Sequence, residues 1–294
     1  GTHAFDCSVI ETQNYTAAQD TANYDILQAD PELHLAIDGN EMDMTYPYPA
    51  LTNVTGWMTS LQGTLDLYRD GVIAANPEIA TLDAGIYNYT LDYIATENYT
   101  AATVSRTLTI TSANAACALT FDGNNVDAYV SDYLTPVNVT CTCTNPEIAG
   151  ELYRDGVLLS DLSVIETLGA ATYNYVCNAS ATTNYVYAED SGNLTVNPIA
   201  PILMLMALPD WNVAEGTETN VSCTADNMEV TPELSMDSVL VSNPDVQTLA
   251  AGIYNYTCDS AATQNYTAAT ISNILTVNAT VVVNTAPVVV LNSP

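Results

Sequence analysis

The chain contains no lysine, and its three basic side chains, Arg69, Arg106 and Arg154, face 34 acidic ones for a formal net charge of -31. Nucleic acid and anionic membrane are therefore excluded as partners, because neither counterion release nor headgroup attraction operates without a basic patch. The same absence rules out Lys–Asn isopeptide cross-links and leaves a trypsin-like protease three places to cut. Histidine is almost as scarce, with only His3 and His34. A Ser-His-Asp or Cys-His centre needs a histidine in a pocket with an oriented partner, and the spacing around these two offers none. No copy of the repeats below carries an insertion that would house a pair of catalytic carboxylates, so the expectation is a protein without enzymatic activity. Long apolar runs are missing too. The longest, residues 199–208, is broken by Pro201 and falls well short of the roughly 20 residues that span a bilayer, so no membrane insertion is expected of this segment.

What is present points to a packed β protein. Hydrophobic residues make up 48% of the chain and there are 19 tyrosines, far from the composition of a disordered acidic tail. The acidic residues are scattered, with no block of like charge. Most of them lack a cation within the chain, so they must be solvated, and copies of the protein should repel one another at low salt.

The sequence repeats. Ala84-Gly85-Ile86-Tyr87-Asn88-Tyr89-Thr90-Leu91 returns as Ala170-Ala171-Thr172-Tyr173-Asn174-Tyr175-Val176-Cys177 and again as Ala251-Gly252-Ile253-Tyr254-Asn255-Tyr256-Thr257-Cys258. An Asn-Tyr pair follows in each copy (Asn98-Tyr99, Asn184-Tyr185, Asn265-Tyr266), then a Leu-Thr segment at Leu108, Leu194 and Leu275. The period is roughly 84 residues, close to one seven-stranded sandwich of about 100 residues. Within a copy, Leu67-Tyr68-Arg69-Asp70-Gly71-Val72 matches Leu152-Tyr153-Arg154-Asp155-Gly156-Val157, and both carry the Asp-Gly signal of a tight hairpin. Prolines at Pro31, Pro198 and Pro287 mark the joints. Many short strands with turn signals, and no sustained helical period, predict an all-β fold of tandem sandwiches.

Cysteines recur in the same frame. Cys141 and Cys177 in the second copy match Cys223 and Cys258 in the third, each pair linking an Asn-Val-Thr/Ser-Cys strand to a Tyr-Asn-Tyr-x-Cys strand. Such a bond, closing about 35 residues, contributes about 3–4 kcal/mol and points to an oxidising exterior. The first copy has Gly56 and Leu91 at these places and must hold by packing alone. Cys117 and Cys143 fall on neighbouring strands, where a local bond is open, and Cys7 has no evident partner. A tyrosine two residues before the second cysteine (Tyr175, Tyr256) has the spacing of a tyrosine corner. On these residues the chain resembles the immunoglobulin superfamily, and more closely the Ig-like repeats of archaeal and bacterial surface proteins rich in AGxYNYTC and TQNYTAA segments. It departs from antibody-type domains in lacking a tryptophan on the third strand. The resemblance implies tandem immunoglobulin-like β-sandwich domains in a linear, rod-like array at residues 29–112, 113–198 and 199–280.

The ends read as parts of further domains. Gly1-Thr2-His3-Ala4-Phe5-Asp6-Cys7 aligns with Gly252 to Cys258, and Thr12-Gln13-Asn14-Tyr15 with Thr263-Gln264-Asn265-Tyr266. Residues 1–28 are thus expected to be the last hairpin of a partial domain. Residues 281–294 are expected to be the first strand of a further domain or a donor strand. Two readings stay open: a segment of a longer parent chain, or copies joined head to tail with strands completing a sandwich in trans.

Eleven Asn-x-Ser/Thr sequons occur, at Asn14, Asn53, Asn88, Asn98, Asn138, Asn178, Asn193, Asn220, Asn255, Asn265 and Asn278. Strand alternation turns Asn255 and Asn220 outward when Tyr256 and Val221 face the core, and Asn14, Asn98 and Asn265 are expected at exposed hairpin tips. N-linked glycans are the modification to expect. Asp38, Asp43, Asp122 and Asp127 sit in Asp-Gly-Asn turns that could hold calcium or be ordinary polar turns. Together these features suggest an extracellular, cell-surface structural protein: a glycosylated filament, stalk or surface layer. The rival is an adhesin or glycan-binding module, for which the aromatic stretch from Asp43 to Trp57 in the first copy is the nearest candidate.

Overall fold

The computed structural model describes residues 1–281 except Leu61, so the expected strand at 281–294 lies almost wholly outside the described residues. Among the described residues every regular element is a β-strand. In residues 33–111, Leu33–Ile37, Leu51–Met58 and Glu78–Thr81 form a three-stranded sheet, with Leu51–Met58 at its centre. A five-stranded sheet runs Met44–Pro47, Ala102–Thr111, Gly85–Tyr93, Leu65–Arg69, Val72–Ala74. Its pairs are antiparallel except Met44–Pro47, which lies parallel to Ala102–Thr111 with Tyr46 beside Ile110. The same two sheet orders recur in 117–197 and 203–278, so each repeat is an immunoglobulin-like β-sandwich.

Alternation builds the core. Along Gly85–Tyr93, Tyr89, Leu91 and Tyr93 are buried while Asn88 is exposed, the two-residue period of a strand with one face covered. Leu35, Ile37, Val54, Leu67, Leu108 and Ile110 close the first core. In the second and third repeats the centre is a disulfide: Cys141–Cys177 with Cα atoms 5.3 Å apart, and Cys223–Cys258 at 5.6 Å. The first repeat fills that space differently. A Cβ on Gly56 would lie 2.4 Å from Leu91 Cδ1, so Leu91 occupies the volume of the missing bridge and any side chain at position 56 would have to displace it. Cys117 and Cys143 are also disulfide-bonded, and Cys7 is the free, exposed cysteine.

By contact density the chain forms two compact units. One holds residues 1–116, 143–149 and 179–188; the other holds 117–142, 150–178 and the chain from 189 onward. This division differs from the expected border at 112/113. Loops 143–149 and 179–188 of the second repeat group with the first unit because they carry contacts to the first repeat, described below. At the N-terminus, Thr2–Val9 and Ala18–Asp25 pair as an antiparallel hairpin with every residue exposed on both faces.

The tyrosine corner falls on another tyrosine than expected. The phenols that donate to a carbonyl four residues upstream belong to Tyr87 (Asp83 O, 2.8 Å), Tyr173 (Gly169 O, 2.9 Å) and Tyr254 (Ala250 O, 3.0 Å). The tyrosines two before the cysteine position are buried and reach across to a carboxylate instead. Tyr89 donates to Glu78 at 2.7 Å, Tyr175 to Glu166, and Tyr256 to Asp245 at 2.7 Å. Arg69 and Arg154 pair with the same Glu78 and Glu166, while the third repeat has Met236 at that strand position. Tyr87 and Tyr89 lie two residues apart and so share the inward face. Position along the strand separates them: Tyr89 is fully buried at its middle and meets a carboxylate inside the sandwich, whereas Tyr87, half-buried near the strand start, reaches back to the turn before it.

Candidate functional site: the joints between repeats

The four hairpin tips share the pattern Thr-x-Asn-Tyr: 12–15, 96–99, 182–185 and 263–266. Each closes by a hydrogen bond from the threonine N–H to the tyrosine carbonyl, 2.9–3.0 Å. In the last three the threonine hydroxyl also accepts from the tyrosine N–H at 3.1–3.2 Å. The local conformation is thus fixed by a Thr side chain that satisfies the turn's own backbone.

The last three tips each grip the linker that leads into their own repeat. The Asn98 carbonyl accepts from Ala29 N–H (2.9 Å), that of Asn184 from Ala113 N–H (2.7 Å), and that of Asn265 from Ile199 N–H (3.0 Å). Return bonds run from Thr100, Val186 and Thr267 N–H to the same three linker residues, at 2.8–3.0 Å.

The asparagine side chain reaches further, to the preceding repeat. Within the first unit, Ala84 N–H donates to Asn184 Oδ1 at 2.7 Å. The amide nitrogen of Asn184 donates to Asp83 Oδ1 at 3.0 Å and Glu147 Oε1 at 2.7 Å. Within the second unit, Ala170 N–H donates to Asn265 Oδ1 at 2.7 Å, and Asn265 Nδ2 donates to Glu229 Oε2 at 2.8 Å. Gly169 sits tightly against this contact, since a Cβ there would lie 3.1 Å from Asn265 Oδ1. Next to each asparagine the tip tyrosine meets an upstream tyrosine edge to face: Tyr185 on Tyr48 at 5.7 Å and Tyr266 on Tyr133 at 5.5 Å. Aromatic pairs in this geometry add about 0.5–1.5 kcal/mol beyond their buried area.

The tyrosine corner positions the receiving end. Asp83 and Gly169, whose carbonyls take the Tyr87 and Tyr173 phenols, immediately precede the Ala84 and Ala170 N–H groups that meet the asparagines. Hydrogen bonds from Thr263 and Asn265 hold the Glu229 carboxyl below the usual glutamate range.

The tip of the first repeat, 96–99, is half of the same arrangement. Asn98 Nδ2 donates to Gln62 Oε1 at 3.1 Å, and Gln62 stands where Glu147 and Glu229 stand in the other repeats. At the far end of the third repeat, Glu215 occupies the place of Tyr48 and Tyr133. Its N–H bonds Asn278 O at 2.8 Å, as theirs bond Thr111 and Asn197 O at 2.9 Å. Its carboxylate accepts from Ala251 N–H at 3.3 Å.

The sequons separate on this geometry. Asn265 was expected at an exposed tip; it is half-buried, and the nitrogen a glycan would use is held by Glu229. Asn98 and Asn278 are exposed but spend Nδ2 on Gln62 and on Asn212 and Val213 O, respectively. Asn14, Asn53, Asn88, Asn193 and Asn255 are exposed, and Asn138, Asn178 and Asn220 are half-buried.

The aspartate turns serve the backbone. Asp38 Oδ1 accepts from Asn53 N–H and Asp122 Oδ1 from Asn138 N–H, each at 2.9 Å, and Asp43 Oδ1 from Thr107 N–H at 2.8 Å. Asp127 accepts from Asn193 N–H through its carbonyl at 2.8 Å. Among the described residues no three His, Asp or Glu side chains come within reach of one ion.

No family model matches the chain, and no curated protein does. Among solved structures it is similar to Sidekick-1 immunoglobulin domains 1–5, at 13% identity over 81% of this chain and 57% of that one, with a TM-score of 0.33. It is similar also to the I9–I11 tandem of titin, at 12% identity over 84% and 100%, TM-score 0.29. Drosophila N-cadherin EC1–3 matches at 9% over 81% and 98%, TM-score 0.27. The chain thus spans little more than half of the Sidekick-1 segment. The fold rests on the sheet orders and registers above, not on these distant likenesses.

Proposed function

We propose that the chain is a structural segment of a glycosylated extracellular filament, stalk or surface layer, in which sandwich repeats are stacked end to end and clamped by the Asn-Tyr tips. The observation that carries this reading is the joint itself. The same donor, acceptor and tyrosine pair recur at two successive joints, 2.7 Å at Ala84–Asn184 and 2.7 Å at Ala170–Asn265. A linker alone would leave neighbouring repeats free to move; a repeated, directional contact of this kind limits bending and lets length scale with repeat number. Its natural partners are more copies of the same repeat, in a longer parent chain or in further subunits.

Disulfide bonding of six of the seven cysteines supports an oxidising, extracellular setting. The reading needs no catalysis: His34 lies on Trp57 and His3 lies in the exposed hairpin. Asp38, Asp43 and Asp122 each bond a backbone amide, and the reading assigns them to their turns. Electron microscopy of the purified native material tests the proposal. Fibres or ordered sheets with lateral branches at Asn88 and Asn255 are expected; discrete monomers with bare asparagines would overturn it.

A further inference from the structure

The outer face of the three-stranded sheet carries one arrangement in all three repeats. Its central strand presents a sequon asparagine, and directly across the ladder stands an exposed branched apolar residue. Asn53 pairs with Ile79, Asn138 with Ile165, and Asn220 with Val246. Those three side chains are 61%, 75% and 51% exposed. Cross-strand partners have Cβ atoms about 5 Å apart, so the first sugar on each asparagine would start beside an uncovered apolar group.

The first repeat extends this surface. On the strand Leu51–Met58, the outward positions are Leu51, Asn53, Thr55 and Trp57, alternating with buried Thr52, Val54 and Gly56. Leu51 is exposed on one side of Asn53, and Trp57, 41% exposed, lies about 13 Å along the strand on the other, at 3.3 Å per residue. His34, the cross-strand partner of Trp57, stacks on the indole with ring centroids 5.1 Å apart and 10° between planes. Glu41 holds the imidazole through Nδ1 at 3.1 Å. The fold does not require this group, because the second repeat has Ala118 and Thr142 at these places and the third has Met204 paired with Thr224. The Thr55 hydroxyl donates to Asn53 Oδ1 at 3.0 Å, directing the amide oxygen inward along the sequon and leaving Nδ2 as the attachment point.

We infer that this face is a saccharide seat, and that its occupant is the inner part of the glycan carried by Asn53 of the same chain. The carbon-bound hydrogens of the sugar rings lie on Leu51, Ile79 and the Trp57 indole, and Glu41 accepts from a sugar hydroxyl. Exposed apolar side chains on both sides of the asparagine, with polar groups between them, offer a sugar chain both ring-stacking and hydrogen-bonding partners. A tethered glycan meets it at high effective concentration without a separate partner. This inference rests on the proposal that the chain is glycosylated.

The test is hydroxyl-radical footprinting of the full chain secreted from an N-glycosylating host, with Asn53→Gln beside it and peptide mass spectrometry reading Asn53, Trp57 and Trp211. In the wild type, Trp57 should oxidise at least twofold more slowly than in N53Q, and enzymatic deglycosylation should abolish the difference. Trp211, in the third repeat, should not change. A modified Asn53 with Trp57 oxidised equally in both proteins overturns the seat while leaving glycosylation standing. An unmodified Asn53 together with bare asparagines elsewhere sinks both.

Discussion

The first and third repeats reach the same sandwich by different means. In the third, Cys223 and Cys258 tie the two sheets together covalently, and Asp245 receives the buried Tyr256 phenol with Met236 where the other repeats have arginine. In the first, Leu91 fills the centre against Gly56, and Arg69 and Tyr89 of the five-stranded sheet both bond Glu78 of the three-stranded one. The difference shows that the cross-link is a replaceable occupant of one core volume. What does not vary is the perimeter: the parallel edge strand, the tyrosine corner and the tip that grips its own linker.

Reduction should separate the two repeats most. Replacing Cys223 and Cys258 by alanine is expected to lower the stability of the third repeat by about 4 kcal/mol, from the entropy of a 35-residue loop. Amide exchange in residues 33–111 should be unchanged by the same substitution or by reductant. Gly56→Ala makes the converse break. It drives a methyl group into Leu91, so the first repeat should lose about 1–3 kcal/mol by overpacking, read as lower protection of the strand Leu51–Met58.

Smaller effects belong to the joints. Asn184→Ala removes the acceptor of Ala84 N–H and the donor shared by Asp83 and Glu147. An expected 1–3 kcal/mol follows from leaving those groups unpaired, seen as faster exchange at Ala84 without unfolding of either repeat. Acid should distinguish the second joint. Because the Glu229 carboxyl is held below its ordinary range in the folded chain, its contribution is complete above the unfolded value, about 4.3. It fades as pH falls through the depressed one. Exchange at Ala170 should therefore accelerate only in strong acid, and Glu229→Gln should remove that dependence.

Much of this fold was legible beforehand. Period, alternation and Asp-Gly turns located the strands, and cysteines at matching positions identified the bridged pairs. The tyrosine corner differs from the expectation because both tyrosines of Tyr-x-Tyr share the inward face, and spacing to a cysteine does not say which of them lies close enough to the strand start to reach the preceding turn. The joint contact of Asn265 is hidden from the sequence for a similar reason. A sequon is a chemical signal and is blind to neighbours 95 residues upstream. One clue was present: Asn184-Tyr185-Val186 keeps the asparagine and tyrosine of the tip while losing the sequon's threonine, so the pair is retained for something other than glycosylation. The His34–Trp57 stack needed the register of two strands, which the sequence does not print.

The most direct test of the clamped joint is 15N relaxation of the full chain, comparing the repeats on either side of the Ala84–Asn184 contact. The account expects one shared tumbling time in the wild type, splitting into separate values when Asn184 and Tyr185 are both replaced by alanine. Independent tumbling of the two repeats in the wild-type chain would contradict it.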